Sequence, residues 1–458
     1  MLRAPNTTTY NFLTFFVSTR KTNMKKYLLS FVVISLMLLN LGCKKSPTEP
    51  NTTAALSVED ISCTEAWVKI TTTNYQTPNT LTLFVNDKAD QNITLASSDT
   101  LLYVDSLLPN QSYKIKAAFA NNNQLQTTNE VIAKTMDTTS HNFTWQTFNF
   151  GGDGGSSFLS DISIINENNI WAVGAIYTKD SYTYDSLGKW IDPYNAIHWN
   201  GSDWELKRIY YNYNGSLLWG LINSVFAFSD NDIWFGTNIH WNGKVFEQPN
   251  ASAQSGLSVN KMWGTSSSDL YAVGYEGGIA HYDGKSWQKI ESGTTLNIND
   301  IWGDFNRRTQ EWEILAVAAD KFFNEGSSVL KIEKMRAKEI NKTGLPWSLS
   351  SVWFHSSKNY FIGGDGLFSN KKINNDWGKV TDLPTFYKDR IRGVESNDIV
   401  VSGSNGLLSH FNGYSWHHYL NNELPYFTGR LLSVEVKNNI IVATGWKEQG
   451  SIIILGKR

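Results

Sequence analysis

Chemistry in this chain would have to come from a few carboxylates, histidines and aromatic rings, because the sequence spells none of the compact catalytic phrases. Asp180, Asp185 and Asp192 share one irregular stretch, residues 177–194, with Lys179, Lys189 and several tyrosines. Such a grouping permits acid–base work of the lyase or hydrolase kind on a sugar, given a partner group at a defined distance. Histidine, the common metal ligand, occurs eight times. Four copies, His198, His240, His281 and His410, sit at one repeated position before a short turn. Metal ligands must converge, whereas repeated positions spread around an assembly, so these histidines read as structural and no metal is assigned. His417 and His418 are adjacent on a predicted strand and face opposite ways. Gly151-Gly152-Asp153-Gly154-Gly155 is rich in glycine, but no helix follows to complete a phosphate cradle. Gly-x-Ser-x-Gly, His-Glu-x-x-His and calcium-loop spacings are missing, so neither a catalytic residue nor a cofactor is predicted.

Recognition is the better use of what remains. Tyr177, Tyr182, Tyr184, Trp190 and Tyr194 crowd the 177–194 stretch, and Tyr211 and Tyr213 follow closely. Trp347, Tyr387 and Tyr426 occupy later irregular connections. Tyrosine and tryptophan offer large contact area at low entropic cost, which suits a glycan or a protein surface. These ten residues are the predicted ligand-binding set; the bland alternative is that the rings only pack on one another. A formal net charge of −2 over 458 residues leaves no field to recruit nucleic acid. Aromatic residues make up 13% of the chain and charged ones only 18%, a balance suited to strand-rich structure rather than disorder.

The elements that must position these rings are repeats. One phrase, a strand ending in small residues, recurs at Asn169–Gly174, Asp232–Gly236, Asp269–Gly274, Asn359–Gly363, Asp398–Gly403 and Asn439–Ala443, with a worn copy at Glu313–Ala318. The seven copies lie roughly 37 to 63 residues apart, the range of one four-stranded propeller blade. A second phrase is a hairpin: His198-Trp199-Asn200-Gly201, His240-Trp241-Asn242-Gly243, His281-Tyr282-Asp283-Gly284 and His410-Phe411-Asn412-Gly413. Asn-Gly and Asp-Gly predict type I′ turns joining third and fourth strands, with the flanking aromatics packed between blades. The last copy ends in Ser451–Leu455, a third strand with no fourth behind it, while Phe143–Phe148 precedes the first copy and matches a fourth strand. Pairing the two would close a ring and remove its open edges. The long connections between second and third strands and between blades then share one rim, opposite the tight turns, and the ten aromatic residues fall on that rim.

Three resemblances complete the reading. From Met24 a basic start, an apolar run of about 16 residues, short of the roughly 20 needed to span a bilayer, and Gly42-Cys43 form a secretory signal. Gly42-Cys43 resembles the lipobox of bacterial lipoproteins, although Asn40 and Leu41 depart from its usual pattern. The resemblance implies a lipid on Cys43, and Lys44 in place of aspartate implies delivery to the outer membrane or cell surface. Residues 1–23 then read as a spurious extension ahead of the true start. Between 55 and 136, Trp67 on a second strand and Leu107-Leu108-Pro109-Asn110-Gln111-Ser112-Tyr113 resemble a fibronectin type III domain, which implies a tyrosine hydroxyl bonded back to the main chain. Cys63 beside it reads as a small packed side chain. Asp283-Gly284-Lys285-Ser286-Trp287 is similar to the sialidase Asp-box but one residue short, and nothing catalytic carries over.

The expected protein is all-β, an immunoglobulin-like (fibronectin type III) sandwich followed by a seven-bladed β-propeller. Its parts are a signal segment with extension (1–42), a lipidated tether (43–54), the sandwich (55–136) and the propeller (137–458), closed by the strand around 143–149. The function expected is an exported, lipid-anchored binding protein of the cell envelope, held to the membrane by its lipid, whose rim recognises a glycan or protein. A carbohydrate-active enzyme or a purely structural envelope component are the alternatives.

Overall fold

The computed structural model describes residues 53–458 except 76, 122–123, 214, 249–256 and 322. The signal segment, Cys43 and nearly all of the tether lie outside the described residues. The described residues contain strands and turns and no α-helix.

Residues 53–134 form two facing sheets. Thr53–Ile61, Ala66–Thr73 and Asp99–Val104 make the first, and Asn79–Val85, Lys88–Leu95, Ser112–Asn121, Gln124–Thr127 and Val131–Lys134 the second. Strand alternation places Val68, Ile70, Leu81, Leu83, Leu102, Ile115 and Phe119 between them. The opening strand starts at Thr53, inside the stretch expected to be tether. Tyr113 reaches back five residues, its hydroxyl accepting from the Leu108 amide at 2.7 Å. Trp67 is buried, but on the opposite face of its strand from Val68 and Ile70, its ring tilted against that of Tyr103 at 5.7 Å between centroids.

From 144 onward the chain builds seven four-stranded antiparallel sheets. Their first strands are Phe158–Asn166, Val225–Ser229, Val259–Ser266, Ile298–Asn306, Leu349–His355, Lys388–Glu395 and Gly429–Lys437, and each neighbours the next in a closed ring. The seventh sheet takes its fourth strand from the other end of the ring: Thr144–Phe150 pairs antiparallel with Gly450–Lys457, Trp145 opposite Gly456 and Phe148 opposite Ile453. Aromatic side chains fill the gaps between sheets, for example Phe148 against Trp199 and Trp171 against Phe235.

The Asn-Gly and Asp-Gly turns differ from expectation. Only the glycines, Gly201, Gly243, Gly284 and Gly413, have positive φ. The residue before each glycine caps a four-residue loop with its own side chain instead, as when Asn200 Oδ1 accepts from the Ser202 and Asp203 amides. Asn242, Asp283 and Asn412 do the same. An Asx cap satisfies the amides that a type I′ turn would pair with main chain, and needs one positive φ rather than two. A Cβ at Gly201 or Gly243 would also collide with Asn168 or Asn231 of the adjoining first turn. Both turn sets therefore crowd one face of the ring, and the longer connections lie on the other.

Candidate functional site

Seven first strands facing one axis create a channel, and its lining is polar. At one equivalent position each strand, or the residue leading into it, supplies Asp161, Ser224, Lys261, Asp300, Ser351, Arg390 and Ser433, all less than a tenth exposed. In six of the seven sheets the pairing register slips immediately before this position. A bulge of this kind re-aims the next side chain, here toward the axis.

Two carboxylates organise the ring, and they do so alike. Asp161 accepts from Ser224 Oγ at 2.9 Å, the Val225 amide at 3.1 Å, Ser433 Oγ at 3.0 Å and Lys261 Nζ at 2.5 Å. Asp300 accepts from Ser351 Oγ at 2.6 Å, the Val352 amide at 2.9 Å and both Nη of Arg392. Burial alone would push Asp300 up, but the Arg390 and Arg392 guanidiniums overcome it and hold the carboxyl well below its usual range. Glu435, below the ring, has fewer partners; burial pushes it up to about 7 despite the Ile164 amide at 2.7 Å. A cavity of about 170 Å³ lies beside Lys261, Arg392 and Glu435.

Toward the loop-bearing face the channel gains a second charged tier. Asp389 is buried and forked by Arg430 through Nε at 3.0 Å and Nη2 at 2.5 Å. Burial still pushes its carboxyl above the usual range. Arg430 stands over the Tyr387 ring at 5.0 Å, and the Tyr387 hydroxyl lies 2.9 Å from Ser348 Oγ. Lys321, half-buried in the connection after Ala319, is pushed down to about 8 by burial and the neighbouring Arg390 and Arg430, against the pull of Asp389.

The predicted aromatic set divides. Residues 177–194 and 210–219 are two hairpins rather than loose loops, Thr183–Tyr184 with Trp190–Ile191 and Tyr210–Tyr213 with Ser216–Trp219. On the first, Tyr177, Tyr182, Trp190 and Tyr184 meet in a chain of edge-to-face contacts at 5.3, 4.9 and 5.1 Å. Tyr182, Tyr184 and Trp190 are exposed. Tyr194 instead bonds Asp180 at 3.0 Å and carries Arg208 over its ring at 3.7 Å. Tyr211 is half-buried beside a cavity of about 360 Å³. For Tyr213 only the strand is described, and its side chain lies outside the described residues. Among the described side chains, Trp347, half-buried, and Tyr426, exposed, make no ring contact with the others of the set, and Tyr387 belongs to the channel mouth.

Two of the three carboxylates considered for sugar chemistry, Asp180 and Asp185, are otherwise engaged. Asp180 accepts from Thr178 and Tyr194, which hold it below the usual range, the wrong direction for a general acid. Asp185 Oδ1 caps its own turn through the Leu187 and Lys189 amides. The repeated histidines are spent on the head of the second strand: His198 Nε2 on Asn169, and His240, His281 and His410 on Asp232, Asp269 and Asp398, at 2.7–2.9 Å. Among the described residues no three His, Cys, Asp or Glu side chains gather as a metal-binding set. Burial, with Asp137 and Glu65 nearby, pushes the Cys63 thiol up to about 11, away from reactivity.

The sandwich docks on the tight-turn face. Glu65 meets Lys371, Asp60 meets Lys358, and Arg308 reaches Asp99 at 3.9 Å. Cys63 Sγ lies 3.9 Å from the Asn412 carbonyl. Trp67, Leu101 and Met136 face Phe305, His355 and Val394 across a cleft of about 670 Å³. The sandwich does not reach the aromatic hairpins or the channel mouth, which lie on the far side.

No protein-family model and no curated protein matches the chain. Among solved structures it is similar to YCF48 bound to D1 peptide, at 14% identity and a TM-score of 0.50, over 70% of this chain and 97% of that one. The C-terminal WD40 domain of Sif2 aligns at 13% identity and a TM-score of 0.37, over 75% of this chain and 90% of that one. The first likeness speaks to fold: the ring of four-stranded sheets is a β-propeller.

Proposed function

We propose that the chain is a lipid-anchored recognition protein of the bacterial cell envelope, whose propeller presents its loop-bearing face to a protein partner. The observation that carries this reading is the placement of the sandwich on the tight-turn face, which leaves the exposed Tyr182, Tyr184 and Trp190 hairpin unobstructed. Tyrosine, tryptophan and arginine dominate the energetics of protein interfaces, and this face offers all three beside Arg208. The propeller fold is consistent with an interaction role. The YCF48 structure is of a propeller bound to a peptide, a use of the fold that this reading shares.

In this proposal each of the seven sheets is one blade, and the sandwich is a fibronectin type III-like spacer. Three strands facing five, with the Tyr113 hydroxyl bonded to the Leu108 amide, support the latter. The lipobox-like Gly42-Cys43 supports anchoring through Cys43 at the outer membrane or cell surface, the spacer then standing between membrane and recognition face. A glycan partner is the second reading, favoured by the exposure of Trp190 and Tyr184.

Capture from solubilised envelopes tests it. The wild-type chain should retain a protein that Tyr182→Ala/Trp190→Ala loses and that Lys244→Ala, on the opposite face, keeps. Equal capture by all three would remove the face from consideration, and retention of a polysaccharide instead would favour the glycan. Cys43→Ser should release the chain from membranes; continued membrane association counts against the lipid.

A further inference from the structure

The channel mouth holds more positive charge than it neutralises. Lys261, Lys321, Arg390, Arg392 and Arg430 confront the carboxylates Asp161, Asp300 and Asp389 in one contiguous group. Ionising Glu435 as well would still leave a positive excess. Charges away from water are ordinarily matched, because desolvating an unpaired one costs several kcal/mol.

The unmatched part is localised. Arg390 is only 6% exposed. Its Nη1 stands 2.7 Å from Asp300 Oδ1, yet neither Nη1 nor Nε has an acceptor in hydrogen-bond geometry. The shared carboxylate is already saturated by the Arg392 fork, Ser351 and the Val352 amide. Lys321, whose charge acts on Arg390 and Arg430, makes no ion pair of its own among the described residues. Arg430 spends Nε and Nη2 on Asp389. Buried guanidinium donors without acceptors, beside an ammonium that makes no ion pair among the described residues, describe a site suited to an anion.

We propose that the mouth of the channel on the loop-bearing face is a carboxylate-binding socket, formed by Arg390 and Lys321 with Arg430 at its edge. A carboxylate there would accept from Arg390, pair with Lys321 and cancel one of the surplus charges. The socket deepens the recognition role assigned to this face and rests on it only for the source of the carboxylate, an acidic side chain of the partner or a small free acid.

Calorimetric titration of the full chain at fixed ionic strength tests this, with acetate and an end-blocked pentapeptide carrying one glutamate as probes and chloride as control. Binding of either probe above chloride is expected, weakened at least about tenfold in Lys321→Met. This variant removes an ammonium that burial already disfavours and that makes no ion pair among the described residues, so its unfolding midpoint in chloride should not fall below wild type and should report an intact fold. Arg390→Met should lose binding as well, although it also disturbs Asp300. Peptide tighter than acetate assigns the carboxylate to a partner side chain, and acetate at least as tight assigns it to a free acid. Neither probe binding above chloride, or Lys321→Met binding as wild type does, overturns the socket. Loss of partner capture with acetate binding intact would overturn only the recognition role.

Discussion

Arg392 grips Asp300 across the channel with two hydrogen bonds, Nη2 to Oδ1 at 2.7 Å and Nη1 to Oδ2 at 2.9 Å, although 92 residues separate them in sequence. The pair therefore ties the fourth sheet to the sixth. Removing one partner of a buried pair strands the other, so Asp300→Ala should cost about 3–5 kcal/mol of stability. Urea unfolding measures this, and a loss under about 1 kcal/mol would mean that water already screens the channel charges.

Closure depends on one close approach. A Cβ on Gly456 would overlap the ring of Trp145 on the partner strand. Gly456→Val should destabilise by about 1–3 kcal/mol through overpacking. Gly456→Val combined with Trp145→Ala should recover part of that loss, and an unrelieved double variant would argue against the contact.

Tryptophans at the two kinds of position should behave oppositely. Trp353, 1% exposed, packs against Gly393 and donates to its carbonyl at 3.1 Å. Trp353→Ala should cost about 3–5 kcal/mol. Trp190→Ala, on the exposed hairpin, should stay within about 0.5 kcal/mol of wild type. Thermal unfolding of the two variants side by side decides it.

Glu435 gives the pH dependence a sign. Its carboxyl rises from 4.5 to about 7 on folding. Between those values the folded chain keeps a proton that the unfolded chain has released, so stability falls as pH rises through this window. Glu435→Gln removes that slope and should gain about 3 kcal/mol relative to wild type between pH 4 and pH 8. An unchanged difference across that range would show that Glu435 titrates normally.

Ion pairs help to hold the sandwich on the propeller. Burial pushes Glu65 up, but the Lys371 ammonium, with hydrogen bonds from Lys371, Tyr103 and Asn359, brings it net below the usual range. Its contribution is complete above the unfolded carboxylate range and fades as pH falls through the lowered value. Lys358→Met/Lys371→Met should enlarge the radius of gyration in solution scattering, and an unchanged radius would mean that the Trp67 cleft suffices for docking.

Local signals made much of the fold legible. The recurring strand phrase and the aromatic hairpins are consecutive residues, and each reports its own geometry. The Asn-Gly phrase does not fix the turn type, because Asn200 and its counterparts can cap a loop with a side chain as readily as adopt a positive φ. Trp67 matched a pattern by position, yet its neighbour is the propeller, a partner its own strand does not reveal. The channel ring is illegible in the sequence for a different reason. Its trace is a column of single polar residues, each followed by an aliphatic one: Asp161-Ile162, Ser224-Val225, Lys261-Met262, Asp300-Ile301, Ser351-Val352, Arg390-Ile391 and Ser433-Val434. Each pair is unremarkable alone, and the charges acquire meaning only when ring closure sets them against one another.

The pairing of Thr144–Phe150 with Gly450–Lys457 also imposes an order in time. A chain emerging amino end first releases Phe150 about 301 residues before Ser451, its hydrogen-bonding counterpart, exists. Until then the early strand has no seat, and the sheets already made form an arc with an apolar flank at each end. A stop codon ahead of Gly450 would thus yield an open arc prone to sticking to its neighbours. The strand Gly450–Lys457 acts as the latch of the ring.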